Sequence, residues 1–367
     1  MKKLLIVGAG FIAREHANAA LDPAILSDAL ELHVADPNPL VLGTFLDQFP
    51  SAHTHDDAGA MFEAAGGNGV AIIATPPVSH AQLVFDALDA GLHVLCEKPL
   101  AMSTDEATRM SLHAEHAGLI LDSCDSRFRD VPATRHVRDL VRSGSLGHPY
   151  HLTFVNTLRR ARSGIDSLTE SGWFRDPRVS GGGALMDWGP YDIAVLDEVL
   201  QPTRVEIHHA WASSPVTGGP FTAESRAVEQ HVGAAMTVTM TDGTRVPVTY
   251  ERAAATHGDE RSVVQFEGES AATSWDWLDW TGGDVRLTSD EDGAPSTTVT
   301  HFDPPVIGFH GRPLARVLRA INDGADPSEI TRTSVFTLAW LRAILDAAES
   351  GAPRSVERES LSASALS

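Results

Sequence analysis

The sequence predicts an α/β protein with an N-terminal parallel sheet of the dinucleotide-binding (Rossmann) type. A C-terminal α/β domain follows, built on a large, open, mostly antiparallel sheet. Three observations predict this. The first 125 residues alternate short apolar runs with amphipathic stretches, the pattern of a parallel sheet covered by helices. The turn Gly8-Ala9-Gly10 joins the first apolar run to the first amphipathic stretch. From about residue 145 the texture becomes alternating, rich in Thr and Val, and broken by turn signals such as Asp242-Gly243 and Gly282-Gly283.

Taken in order, residues 4–7 read as a buried strand and 11–21 as a helix stopped before Pro23. Strands follow at 30–35, 69–74, 92–96 and from 119. Helices fall at 39–49, 79–90 and 104–117, the last two closed by Gly91 and Gly118. Later strands are expected at 148–157, 204–211, 229–241, 244–251, 263–267, 272–280 and 297–302, with one face packed on helices. Helices at 313–322 and 334–348 precede a small, polar tail that reads as frayed. A chain of 367 residues exceeds what one core usually supports. The expected domains are 1–125, which binds the dinucleotide, and 126–367, which binds substrate, with the C-terminal helices free to pack back on the first.

A net charge of -21 argues against nucleic acid and anionic membrane partners. No apolar run approaches the ~20 residues of a membrane span. Residues 2–20 mimic a signal peptide poorly, since Gly8 and Gly10 interrupt the apolar run and Arg14, Glu15 and His16 follow it. Two cysteines, Cys96 and Cys124, make no disulfide framework and point to a reducing, cytoplasmic setting. Of 28 basic residues only Lys2, Lys3 and Lys98 are lysine.

Gly8 to Ala13 spell G-x-G-x-x-A between a strand and a helix. Gly8 permits the tight turn, Gly10 lets a pyrophosphate approach, and Phe11 and Ile12 open the helix whose N-terminus favours the anion. Asp36, at the end of the second strand and followed by Asn38, stands where an acid bonds the ribose hydroxyls of NAD. No Arg or Lys between it and Pro50 offsets its charge, so NAD is expected over NADP. Ala74-Thr75-Pro76, His80 and Glu97-Lys98 lie at the carboxyl ends of further strands, where open parallel sheets bind ligands, and are expected to face the cofactor. In a chain that otherwise fills basic positions with arginine, Lys98 suggests a need for a compact ammonium. Gly181-Gly182-Gly183 precede Asp187, Pro190 and Tyr191. Pro190 is expected in a first helical turn, and Asp187 and Tyr191 on one helical face. A plain N-cap for Asp187 and a core aromatic for Tyr191 are the bland alternatives.

With these residues in hand, the chain resembles the glucose–fructose oxidoreductase / inositol dehydrogenase / rhizopine catabolism protein family. The resemblance runs through the glycine motif, 74–80 (ATPPVSH), 90–101 (AGLHVLCEKPLA) and GGGALMDWGPYDIA from Gly181. It implies a catalytic set of Lys98, Asp187 and Tyr191, with tyrosine where many sugar and inositol dehydrogenases carry histidine. It also implies a homodimer or homotetramer formed through the C-terminal sheet. The expected activity is NAD-dependent oxidation of a hydroxyl on a sugar, sugar derivative or polyol. Lys98 would favour the phenolate of Tyr191 as proton acceptor, or act as the base itself while Tyr191 positions the substrate. Competing readings are a redox-neutral enzyme that keeps its NAD (a glycosidase or sugar–sugar oxidoreductase) and an inactive NAD-binding regulator. Softer candidates for substrate contact are Arg127, Arg160, Trp173, Arg175, Asp187 and His310, since Arg forks and aromatic faces suit carboxylates and sugar rings. No metal-ligand spacing is present, and no metal is expected.

Overall fold

The computed structural model describes residues 3–25, 31–159, 172–214, 228–278 and 283–359. The chain divides into two compact units, Met1–Arg127 with Val306–Leu338, and Phe128–Pro305 with Ala339–Ser367. The strands are β1 (Lys3–Val7), β2 (Glu31–Ala35), β3 (His53–His55), β4 (Val70–Ile73), β5 (His93–Cys96), β6 (Leu121–Ser123), β7 (Pro149–Thr157), β8 (Pro202–Ser213), β9 (His231–Met240), β10 (Arg245–Ala253), β11 (Arg261–Gly268), β12 (Ala271–Trp275), β13 (Gly283–Glu291), β14 (Ala294–Phe302) and β15 (Arg354–Glu357). The helices are α1 (Phe11–Ala20), α2 (Pro39–Gln48), α3 (Ala58–Ala65), α4 (His80–Asp89), α5 (Thr104–Ala117), α6 (Pro132–Arg142), α7 (Pro177–Ser180), α8 (Ala184–Leu200), α9 (Gly311–Asp323) and α10 (Pro327–Ser350).

The first unit is a parallel sheet in the order β3-β2-β1-β4-β5-β6. β1 from Leu4 onward and all of β4 are apolar and buried because both sheet faces are covered. On one face Leu4, Ile6, Val34 and Ile72 pack with Ala13 and Ala17 of α1, Phe45 of α2, and Leu314 and Val317 of α9. Asn38, Asp57 and Ser103 cap α2, α3 and α5 through the backbone N–H groups of Leu40, Ala60 and Glu106. The order of strand addition reverses between β1 and β4, which run parallel, and the crevice at their carboxyl ends is the place where such sheets bind ligands.

The second unit holds a nine-stranded sheet, β14-β13-β12-β11-β7-β10-β9-β8-β15. Every neighbouring pair is antiparallel except β7 and β10. Alternation shows best on β10. Val246, Val248, Tyr250 and Arg252 are buried, while Arg245, Pro247 and Thr249 are exposed. Helix α8 packs over the inward face of β9 and β10.

Four expectations need correction. The tail is not wholly frayed, because β15 pairs with β8 and buries Val356. β13, with the polar sequence GDVRLTSDE, had no hydrophobic alternation to announce it. Pro190 lies inside α8 rather than in its first turn, because the helix begins at Ala184. Adjacent residues such as His208 and His209 would be expected to face opposite ways in a regular strand, but a bulge between Ile207 and His209 leaves both exposed. Among the described residues no helix is long and apolar enough to cross a membrane.

Candidate active site

At the end of β1 the chain turns sharply at Gly8, whose φ is +92°. A Cβ there would lie 2.7 Å from the Ala74 carbonyl oxygen, so the turn needs glycine twice over. Gly10 differs. A Cβ added to it meets nothing within 4 Å, and the helix that follows has no side-chain cap on its first N–H groups. Uncapped donors beside a glycine backbone suit a pyrophosphate, so the residues fit a dinucleotide. Phe11, at the first position of α1, is exposed, and Ala13 is fully buried against the sheet. Asp36 is held in place from both sides. One carboxylate oxygen accepts the Ala9 N–H at 2.9 Å and the other accepts the Asn38 N–H at 2.8 Å.

The turns after β4 and β5 are tied together by His80, which is fully buried. One ring nitrogen lies 2.9 Å from the Thr75 carbonyl oxygen and the other 3.0 Å from that of Pro99. Burial lowers the affinity of His80 for a second proton, and the two carbonyls only partly offset this. The neutral ring donates to one carbonyl. His80 was expected to face the cofactor; with both nitrogens spent on backbone it is a strut between the two turns instead.

Glu97 was likewise expected to face the cofactor and is instead buried within the protein. One carboxylate oxygen takes His16 Nε2 at 2.8 Å and the Arg127 guanidinium, and the other accepts the backbone N–H of Lys98 at 3.1 Å. Burial alone would raise the Glu97 carboxyl, but the Arg127 charge and the His16 bond overcome it and hold the group well below the usual carboxylate range. Arg127 is therefore corrected too. It was expected to contact substrate, but the residue is 3% exposed and its guanidinium pairs with the Glu97 carboxylate. His16, Glu97 and Cys124 bring potential ligand atoms within 4.8 Å of one another, yet a metal ion there would sit against the Arg127 cation already on Glu97. Cys96 and Cys124 are buried free thiols pushed well up by burial, hence poor nucleophiles. His310 opens α9, 3.7 Å from Glu15 and edge-on to His16. Burial, with Arg127 and His16 nearby, lowers its pKa to about 3, so it is a neutral ring at ordinary pH.

In the second unit α8 carries Asp187, Trp188 and Tyr191. Asp187 sits in the first turn but is not the N-cap; that position belongs to Gly183. The carboxylate that caps the helix comes from Glu229, which accepts the N–H groups of Gly183 at 2.8 Å and Leu185 at 3.1 Å, while its own carbonyl takes the Ala184 N–H at 2.8 Å. The role of the triple glycine follows. A Cβ on Gly183 would lie 1.8 Å from the Glu229 carbonyl oxygen, and one on Gly182 would lie 2.5 Å from Met186. Gly183→Ala should therefore push the start of α8 off Glu229 and cost ~1–3 kcal/mol, as overpacking does, read as a lower midpoint in thermal unfolding. Glu229 was invisible to sequence reasoning. It lies 46 residues from its partner with no local signature.

Tyr191 is 5% exposed, with its ring edge-to-face against Phe128 at 5.2 Å and Trp188 at 5.8 Å. The next residue, Asp192, is fully buried and takes the Tyr250 hydroxyl at 2.7 Å, Arg252 Nε at 2.7 Å, and a second Arg252 nitrogen. The Arg252 guanidinium lies 5.7 Å from the Trp188 ring and 5.9 Å from that of Trp277, a desolvated cation between aromatic faces. Trp173 stacks on Phe174 at 3.8 Å in the turn Gly172–Arg175, which also holds Arg175. Arg160 lies outside the described residues.

These features define a first unit that fits a dinucleotide. Residues 2–123 match the model of the oxidoreductase family with an NAD-binding Rossmann fold, and residues 134–272 match the GFO/IDH/MocA C-terminal domain. D-xylose 1-dehydrogenase (NADP(+)) 2 of Haloferax volcanii is 31% identical over 282 residues, covering 76% of this chain and 78% of that protein. Rhizopine catabolism protein MocA of Rhizobium meliloti is 32% identical over 191 residues, or 52% of this chain, which spans 54% of that relative's length. A levoglucosan dehydrogenase solved with NADH and L-sorbose shares the fold with a TM-score of 0.79 at 17% identity, covering 98% of this chain and 100% of that one. The chain belongs to the GFO/IDH/MocA oxidoreductase family.

Proposed function

We propose that the protein is an NAD-dependent dehydrogenase that oxidises a hydroxyl group of a sugar, sugar derivative or polyol. The observation that carries this reading is the lone lysine turn, Glu97-Lys98, at the carboxyl edge of a parallel sheet that also presents the Gly8–Gly10 turn and Asp36. The names of the relatives, xylose dehydrogenase and levoglucosan dehydrogenase among them, support a sugar-like substrate. The uncapped start of α1 would hold the pyrophosphate, Asp36 the ribose, and Ala74, Thr75 and Pro76 the far side of the crevice. When bound, NAD accepts the hydride. The chain's part is to move the proton. Lys98 and Tyr191 are the two groups we assign to take it from the substrate hydroxyl, and Asp187 the one we assign to orient that hydroxyl. The exposed outer face of the nine-stranded sheet is the surface on which we place a subunit contact, which sedimentation of the purified chain would test. The buried free thiols are in keeping with a reducing compartment.

A panel of pyranosides, anhydrosugars, inositols and sugar acids, scored by NADH absorbance, tests the reading. NADH release with one class supports it, and a reduced cofactor that never leaves the protein would point to the redox-neutral alternative. Cofactor choice is a separate prediction. A 2′-phosphate would meet the immobilised Asp36 carboxylate, so kcat/KM should favour NAD over NADP by at least ~10-fold. Asp36→Ser with Asn38→Arg should reverse part of that preference. It should also cost ~1 kcal/mol of stability, because Asn38 caps α2. Equal use of NADP by the wild type would refute this role for Asp36.

A further inference from the structure

Glu97 is a carboxylate at a ligand-binding edge that spends every contact inward. Its N–H is bonded to the Ile73 carbonyl at 2.9 Å, so the chain is still extended there. Glu97 is pulled inward by His16 and Arg127, its second oxygen grips the Lys98 N–H itself, and Lys98 in the bend that follows is left half-buried rather than drawn into the core. The grip is well defined. His16 is 1% exposed, its Nδ1 has no hydrogen-bond partner among the described residues, and its Nε2 faces the carboxylate at 2.8 Å as donor. His16 belongs to α1, the helix that opens at Gly10, and Arg127 closes the 3₁₀ turn Cys124–Phe128 after β6. Arg127 is itself held, since its carbonyl accepts a hydrogen bond from Arg312 Nη1 of α9 at 3.3 Å.

We propose that His16, Glu97 and Arg127 form a positioning device that fixes the direction and reach of Lys98, tying the lysine turn to the helix that receives the pyrophosphate. This rests on the reading that Lys98 acts on the substrate. None of the three is a catalytic residue. They act through the backbone and side-chain direction of Lys98. The cost of such a cluster is a desolvated ion pair, and a surface salt bridge to the same lysine would be simpler if stability were its only use.

The scarcity of lysine makes the proposal testable without knowing the substrate. Reductive methylation with ¹³C-formaldehyde labels only the N-terminal amine, Lys2, Lys3 and Lys98, and Lys98→Arg identifies the last. His16→Ala and Arg127→Met should move the Lys98 signal toward those of the two N-terminal lysines. With the substrate found by the panel, both should lower kcat by ~10–100-fold while KM and the NADH dissociation constant stay within ~3-fold. His16→Gln, which keeps an N–H at similar reach, should restore both the signal and the rate. A purely structural cluster predicts something else, a lower unfolding midpoint with the Lys98 signal of the folded protein unmoved. That result in both variants overturns the proposal. If His16→Ala does not fold, Glu97→Gln keeps the shape, loses the charge and is scored the same way. Should no sugar reduce NAD, the functional reading fails, while the Lys98 signal still decides the positioning role.

Discussion

Lys98→Ala is expected to lower kcat by ~10²–10⁴-fold, the usual value of positioned acid–base catalysis, with NADH binding nearly unchanged. The two effects separate because the groups assigned to the dinucleotide (the Gly8–Gly10 turn, the start of α1 and Asp36) keep their contacts without the ammonium. Tyr191→Phe should fall in the same range. Its ring packs against Phe128 and Trp188 through edges that phenylalanine keeps, so loss of the hydroxyl, not of packing, would be measured. Lys98→Arg should not rescue. A planar guanidinium is larger, cannot give up its proton, and bonds as a fork where a point charge is required. Stopped-flow NADH formation and NADH fluorescence titration on the same samples give both numbers. Wild-type rates in both Lys98→Ala and Tyr191→Phe would sink the assignment. Selective loss in Lys98→Ala alone would leave Lys98 as the base and Tyr191 as a positioning group.

The largest effect on stability should come from Arg252→Met, expected to cost ~3–5 kcal/mol, since it strands a buried carboxylate. Asp192 and Arg252 are both fully buried, and Asp192 has no water to fall back on. Burial works against the Arg252 charge, but the Asp192 carboxylate beside it wins and raises its hold on the proton. Burial also raises the Asp192 carboxyl, against the opposing pull of Arg252. The bidentate contact is reason to regard the pair as ionised. Asp192→Leu together with Arg252→Met removes both charges and should recover most of the loss, because a well-packed apolar pair is often no worse than a buried salt bridge. Chemical denaturation of the single and double variants measures this. A single variant within 1 kcal/mol of wild type would refute the buried-charge account, where ~3–5 kcal/mol is expected.

The parallel half of the fold was legible because its central strands β1, β4 and β5 are mainly apolar and helices such as α5 carry caps and glycine stops, here Ser103 and Gly118. What escaped was polar and local: the His-Thr-His edge strand β3, the charged α6, β13 and β15. β3 and β15 are placed by backbone pairing with β2 and β8, which side-chain periodicity does not report, whereas the amphipathic spacing of α6 was there to be read. The candidate site divides the same way. Gly8, Gly10, Asp36, Lys98 and Tyr191 stand out by motif. Glu97, Arg127 and His80 stood out too, but with the wrong partners, because spacing shows that a charge is present and not which charge it faces. Glu229 and Arg252 gave no signal at all. Each acts across 46 or more residues, and each resembles an ordinary strand or loop residue until its partner is in place.

The four residues of β15 carry one more consequence. They occupy the outer edge of β8, whose long run from Pro202 to Ser213 would otherwise end the sheet with open backbone donors and acceptors. A chain shortened before Arg354 would keep all the residues discussed for catalysis yet present a ready template for strand addition by another molecule. Shelf life and resistance to clumping, rather than turnover, are the properties that this short segment guards. An affinity tag is better placed beyond it than in exchange for it.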